Sequence, residues 1–161
     1  MSQVIVNALK PQVDNAFGLL IKFIEVCPDN IWAEKSGGWP LWQQFYHAIT
    51  AVDLFVEAPG EAPAELLTAP EIAQLATVAE PAALLSRDKV KAACLRAKSL
   101  ADKYLSALQD EALPQRNETP FKKIKFDLTH AGTVALLASH ALYHLGAGDA
   151  ALRNHNLKGV F

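Results

Sequence analysis

The sequence contains one long segment without any charged side chain. Between Asp127 and Asp149 lie 21 residues, Leu128 to Gly148, that include no Asp, Glu, Lys or Arg. Average proteins carry charge at about a quarter of their positions, so this segment is not typical of a helix surface that faces bulk water. It is long enough to cross a bilayer, but its three histidines, two threonines and one serine favour a buried helix of a soluble protein.

Cysteine and concentrated positive charge are also scarce. The two cysteines, Cys27 and Cys94, form no metal-binding or redox motif, and each occupies an apolar position of a helical pattern, which predicts buried free thiols. The formal net charge is −2 and the lysines and arginines are scattered, so nothing predicts nucleic-acid binding. Residues 1–3 lack the basic region that opens a signal peptide. We therefore expect a cytoplasmic protein that binds neither nucleic acid nor a membrane.

No segment alternates apolar and polar residues as a half-buried strand does, which predicts an all-α fold. Apolar residues recur at helical spacing over residues 2–27, about 40–56, 86–109 and about 127–145, and Ser86 is predicted to cap the third helix. Glycines 146 and 148 are expected to loosen or end the fourth helix. A chain of 161 residues with four long helices predicts one domain, residues 1–161, built as an up-and-down four-helix bundle.

Residues 57–85 interrupt the helical pattern. Prolines break this segment into short pieces, and one brief helix is predicted at about 71–78. The segment has too little apolar material for a core of its own, so we predict a long proline-rich excursion between the second and third helices rather than a second domain. Its prolines are Pro59, Pro63, Pro70 and Pro81.

Two histidines of the fourth predicted helix, His140 and His144, are spaced i and i+4. This spacing stacks both imidazoles on one face, one turn apart, and two converging imidazoles suit a divalent transition metal. The pair lacks the glutamate of the HExxH metalloprotease motif, because Ala141 stands in that position, and no carboxylate lies within a turn on the same face. The pattern therefore disfavours a metalloprotease and predicts no internal general base.

The histidines of the second and fourth helices lie opposite the apolar stripes of those helices. Simple solvent exposure would explain the positions of all three histidines. The fourth helix carries no charge, however, so its polar side is expected to face another helix, a subunit or a cleft. We therefore predict a partly wet cavity between the two helices. From the residues alone, both a shared metal ion and merely structural histidines remain open. His130 and His155 are predicted to be surface or capping residues.

The pattern resembles the DinB/YfiT-like family of four-helix metal-binding proteins. The resemblance rests on His47 within the segment Trp42 to Ile49, on His140 and His144 within the segment 140–146, and on helix order over nearly the whole chain. It implies a divalent metal, zinc or nickel, held by these three histidines with a position open for water or substrate.

Relatives in that family include low-molecular-weight thiol transferases, a thiol-dependent isomerase and metal hydrolases. The resemblance thus implies a metal-dependent transferase or hydrolase of an unidentified small molecule, with a low-molecular-weight thiol as a second cofactor. Thiol transfer is favoured over amide hydrolysis because no base is evident. The alternative is a non-catalytic, metal-stabilised module for dimerisation or ligand binding. A homodimer is expected because apolar residues lie on nearly all sides of the second and fourth helices.

Further residues are predicted to surround the metal, although each is also compatible with an ordinary structural role. Polar residues on the histidine faces are predicted to support the ligands, and nearby aromatic residues are predicted to wall an apolar substrate pocket. The first group is Gln43, Thr50 and Thr133; the second is Tyr143, Trp39, Trp42 and Tyr46.

Overall fold

The structure, a computed structural model, describes residues 2–36, 38–57 and 84–161. Regular structure in this part of the chain is mostly helical, as the apolar periodicity predicted. The helices are α1 (Val4–Val26), α2 (Asp29–Trp32), α3 (Leu41–Thr50), α4 (Val52–Phe55), α5 (Arg87–Ala107), α6 (Glu118–Ile124) and α7 (His130–Asn154), with a 3₁₀ turn at Asp110–Ala112. None of the helices described is long and apolar enough to cross a membrane. Most of the predicted proline-rich excursion, including the helix predicted at 71–78, lies outside the described residues.

Two short strands precede α3, which no pattern in the sequence predicted. The strands β1 (Lys35–Ser36) and β2 (Trp39–Pro40) are antiparallel, with Lys35 opposite Pro40 and Ser36 opposite Trp39. Each strand has only two residues, too few for an apolar–polar alternation to appear. Gly38 has a φ of +92°, a left-handed conformation that glycine adopts without steric cost. The segment before the second predicted helix is therefore a small hairpin, and α3 begins directly after it.

The sequence predicted the start of α5 correctly and the end of α7 wrongly. Ser86 caps α5 and its hydroxyl accepts a hydrogen bond from the Lys89 backbone N–H at 3.3 Å. By contrast, α7 continues through Gly146 and Gly148 to Asn154 instead of ending near 145. Gly148 is buried against aromatic side chains of other helices. Glycine is thus used there for close packing and not for chain reversal.

The long helices share one apolar core. Helix α1 packs against α5 and α7, and α3 packs against the same two helices. At the contact between α1 and α3, the rings of Phe23 and Phe45 stack with centroids 4.3 Å apart. Burial of a side chain of this size stabilises the fold by roughly 1.5–3 kcal/mol. The largest fully buried apolar side chains include Phe17, Leu20, Phe23, Ile24, Phe45, Leu105, Leu145 and Leu152.

Both cysteines lie in this core as free thiols, as their apolar positions predicted. Burial raises the pKa of Cys27 and of Cys94 to about 12. Because the thiolate is the reactive form, neither side chain is a nucleophile near neutral pH.

Candidate metal centre

Three histidine side chains from two helices meet at one point. His47 lies on α3, and His140 and His144 lie on α7. The ring centroid of His47 is 5.2 Å from that of His140 and 5.3 Å from that of His144, and the two α7 rings are 4.9 Å apart. One nitrogen from each ring can be chosen so that all three lie within 4.8 Å of one another. The packing of α3 against α7 therefore unites residues that are about 90 positions apart in the chain.

The spacing of the α7 pair matches that of two ligands on one ion. The Nε2 atoms of His140 and His144 are 3.2 Å apart. A tetrahedral ion with metal–nitrogen bonds of about 2.0–2.1 Å separates its ligand atoms by roughly 3.3 Å. Because neighbouring turns of one helix hold both rings, this half of the site is already close to the spacing that a metal requires.

Burial keeps the three imidazoles neutral. It lowers the pKa of His47 below its usual value. Burial also lowers the pKa of His140 to about 4, with an added contribution from His47, and that of His144 to about 3, with added contributions from His140 and His47. At neutral pH each ring thus has an unprotonated nitrogen that can donate a lone pair to a metal. The residues present fit a divalent cation.

The histidines, called here the triad, line a cleft of about 340 Å³. His144 is buried, whereas His47 and His140 are half-buried. The cleft is thus accessible from solvent on the side where His47 and His140 lie. It is lined by Trp39, Gln44, His47, His140, Tyr143 and His144, which include no acidic or strongly basic side chain.

One glutamine attaches the hairpin to the mouth of the cleft. The side-chain amide of Gln44 donates hydrogen bonds to the carbonyl oxygens of Ser36 and, at 3.1 Å, of Trp39. The Trp39 ring then meets the His47 ring edge-on, with centroids 5.8 Å apart. Gln44 was not among the residues that the sequence predicted at the site, whereas its neighbour Gln43 was. Gln44 is three residues before His47, so i, i+3 spacing was the signal that would have found it.

A protein-family model described as the DinB superfamily matches residues 12–147, most of the chain. The chain belongs to the DinB superfamily. The matched range contains the whole triad and the hairpin. Searches of curated proteins and of solved structures returned no match.

The two threonines predicted to support the metal in this DinB protein both donate their hydroxyl hydrogen bonds to backbone carbonyl oxygens. The Thr50 hydroxyl donates to the carbonyl oxygens of Tyr46 and His47, at 2.9 and 3.3 Å. Thr133 is fully buried near the start of α7, where its hydroxyl donates to the Thr129 carbonyl and accepts from the Asn117 amide. Thr133 precedes His140 by seven residues, about 10 Å along the helix.

The remaining predicted residues divide between core and cleft. Gln43 is fully buried and is not among the residues that line the cleft, and Trp42 and Tyr46 belong to the core. Tyr143 lines the cleft, and its ring lies 5.1 Å from that of His144. The support of metal ligands by Gln43, Thr50 and Thr133 stays a prediction.

The other two histidines lie outside the triad. His130 is the first residue of α7, and its Nδ1 atom is 2.7 Å from the hydroxyl of Tyr104. His155 follows the last residue of α7, and its Nε2 is 2.6 Å from a carboxylate oxygen of Glu34. The second contact joins the chain just before the hairpin to the end of α7.

Proposed function

We propose that this DinB superfamily protein holds a divalent metal ion, zinc or nickel, on His47, His140 and His144. We propose further that it uses the ion as a thiol transferase or hydrolase acting on a small molecule. The observation that carries the proposal is the convergence of three neutral imidazoles at a cleft open to solvent. Catalytic zinc sites commonly have three protein ligands and one open position, whereas structural sites are closed by four.

A bound divalent ion would lower the pKa of a water or thiol that it contacts, which supplies a nucleophile at neutral pH. The chain's own part is to hold three lone pairs in place at a cleft that opens to solvent. Among the described residues that line the cleft there is no carboxylate to serve as a general base. This favours transfer from a low-molecular-weight thiol over hydrolysis of an amide, because a thiol loses its proton more readily than water.

Metal analysis tests the proposal directly. Protein purified without a histidine tag is expected to take up one equivalent of zinc or nickel, measured by elemental analysis and by calorimetric titration. Combined His140→Ala and His144→Ala substitutions should abolish uptake, whereas His130→Ala, a histidine on the same helix outside the triad, should leave it unchanged. Wild-type protein that takes up no metal would refute the proposal. If metal binds, assays with thiols and electrophiles distinguish a catalyst from a binding module.

For the architecture we propose an up-and-down four-helix bundle formed by α1, the α3–α4 segment, α5 and α7, within one domain of residues 1–161. The packing of α1 and of α3 against both α5 and α7 supports this arrangement. Residues 57–85 would be the proline-rich excursion between the α3–α4 segment and α5. The cytoplasmic location and the absence of a nucleic-acid partner also remain proposals, the second supported by the net charge of −2.

A second function, a metal-stabilised homodimer module, is favoured by the outer surface of α7. Its exposed positions from 131 to 146 are Ala131, Ala135, Ser139, Tyr143 and Gly146, without a charged residue among them. Four of these five residues are small, which allows a second helix to approach closely, and a two-fold dimer would use the same face twice. Sedimentation analysis would detect the dimer, and Ala135→Glu should dissociate it. A monomer at all accessible concentrations would remove this alternative.

A further inference from the structure

Two aromatic side chains border the triad, one from the hairpin strand that precedes α3 and one from α7. Trp39 lies in β2, directly before α3, and its ring meets His47 edge-on at 5.8 Å and 85°. Tyr143 lies on α7, and its ring meets His144 edge-on at 5.1 Å and 86°. Both residues line the same cleft. An incoming molecule that reaches the histidines therefore passes two aromatic rings.

Trp39 is held in position by the fold itself. The Gln44 amide binds the carbonyl oxygens of both Ser36 and Trp39, so it connects the two strands of the hairpin to α3. Glu34, just before the hairpin, contacts His155 at the end of α7. The backbone that carries the indole is thus fixed before any ligand arrives. Binding to a wall that is already ordered avoids the entropic cost of ordering it.

Tyr143 is unusually exposed for so large a side chain, with 76% of its surface accessible to solvent. Its neighbour His144 is 7% exposed. The phenol ring therefore lies at the rim of the cleft, above a buried histidine. A ligand seated at the triad would cover aromatic surface that is now in contact with water, which is a favourable exchange.

The cleft also selects by charge and by size. Its described lining contains no Asp, Glu, Lys or Arg, so a charged group placed away from the histidines would lose its hydration without gaining a partner. The volume of about 340 Å³ is at the lower end of small-molecule sites. A ligand with one metal-binding atom group and one flat apolar group satisfies both constraints.

We propose that Trp39 and Tyr143 form an aromatic subsite beside the triad, and that the molecule used there carries a flat, uncharged aromatic or conjugated group next to its metal-binding atoms. This inference rests on the proposed function, because the metal would position the ligand against the two rings. It adds the class of substrate that the site takes.

Two hydroxamates with the same metal-binding group test the subsite. Acetohydroxamate carries a methyl group where benzohydroxamate carries a phenyl group, so the change in the ratio of their affinities between wild type and the alanine variants reports on the aromatic walls. Calorimetric titration of zinc-loaded, tag-free protein is expected to show benzohydroxamate binding about ten-fold more tightly. Tyr143→Ala and Trp39→Ala should each reduce that ratio about three-fold or more, with zinc content and acetohydroxamate affinity unchanged.

Matched variants separate the subsite from the fold and from the metal. Phe161→Ala removes another exposed aromatic ring, 62% accessible, and should leave the ratio unchanged. Trp39→Ala could lose zinc through damage to the hairpin. In that case two other variants test the subsite: Trp39→Phe should keep most of the affinity ratio, and Tyr143→Ala, at an exposed position, should reduce it. Three results would overturn the inference: an affinity ratio near one, no binding of either hydroxamate, or a ratio that neither alanine substitution changes. If zinc were still taken up, the proposed function would stand. Absence of zinc uptake would overturn both.

Discussion

Gly148 of α7 lies directly against Phe45 of α3. A Cβ atom added to this glycine would fall 2.8 Å from the Phe45 ring and 2.7 Å from the ring of Phe23 on α1. Carbon atoms in contact are normally about 3.5–4.0 Å apart. The two helices that carry the triad therefore approach each other at a position where only glycine fits.

Gly148→Ala is expected to destabilise the protein by about 1–3 kcal/mol, because the new methyl group overpacks the core between three helices. It should also weaken zinc binding, since α3 and α7 must shift relative to each other. Gly146→Ala is the matched control: that residue is exposed and has no atom within 4 Å of an added Cβ. In a helix interior this change should stabilise by about 0.5–1 kcal/mol. Urea denaturation measures both effects, and equal responses at the two glycines would contradict the packing argument.

Thr133→Val is expected to lower stability and to leave zinc affinity unchanged. Thr133 accepts a hydrogen bond at 3.0 Å from the Asn117 amide, which also donates to the Phe55 carbonyl at 2.8 Å. Loss of the hydroxyl leaves a buried donor with one partner fewer, at a cost of about 1–3 kcal/mol. Chemical denaturation and zinc titration of the same variant separate the two properties. A clear loss of zinc affinity would instead favour the metal-supporting role that the sequence predicted for this residue.

The carboxylate of Asp149 should contribute stability that is lost only in acid. Burial opposes its ionisation, but hydrogen bonds from Arg153 and from the backbone N–H groups of Val160 and Phe161 outweigh this and lower its pKa from 3.8. A group with a lowered folded-state pKa stabilises the protein above its unfolded pKa, and that stabilisation disappears as the pH falls through the folded value. The difference in unfolding free energy between wild type and Asp149→Asn should therefore be constant from pH 5 to 8 (roughly) and shrink below about pH 4.

Arg153→Ala supplies the companion measurement for Asp149. The Arg153 Nε donates to the Asp149 carboxylate at 2.6 Å, so its removal should reduce the same acid-dependent difference. If the difference in unfolding free energy between wild type and Asp149→Asn grew as the pH fell below about 4, ionised Asp149 would not be stabilising the fold.

Removal of metal should lower the thermal midpoint of the wild-type protein. Three ligands on two helices exist as a site only in the folded chain, so an ion that binds there stabilises the native state. A free zinc concentration 100 times the dissociation constant adds about 2.7 kcal/mol. Thermal unfolding with zinc and with a chelator measures this shift, which should vanish in His140→Ala and persist in His130→Ala. An equal shift in both variants would place the bound ion elsewhere.

Several features followed from the sequence alone because their causes are local. Apolar residues at helical spacing predicted the long helices, and Ser86 predicted the start of α5, since periodicity and capping involve residues a few positions apart. The i, i+4 spacing of His140 and His144 predicted stacked rings for the same reason. The buried state of Cys27 and Cys94 followed from their apolar positions.

Tertiary structure decided the features that depend on contacts between distant segments. The family resemblance named His47 as the third histidine, but local spacing carries no information about its contact with the α7 pair, which arises because α3 packs on α7. Gly148 was predicted to loosen or end the last helix, but in the structure it lies within that helix and packs against Phe23 and Phe45. Gln44 contacts the hairpin at the cleft because the hairpin returns to the start of α3. Sequence thus determined helices and the stacked histidine pair, while packing of one helix on another decided where the third histidine and the aromatic rings lie.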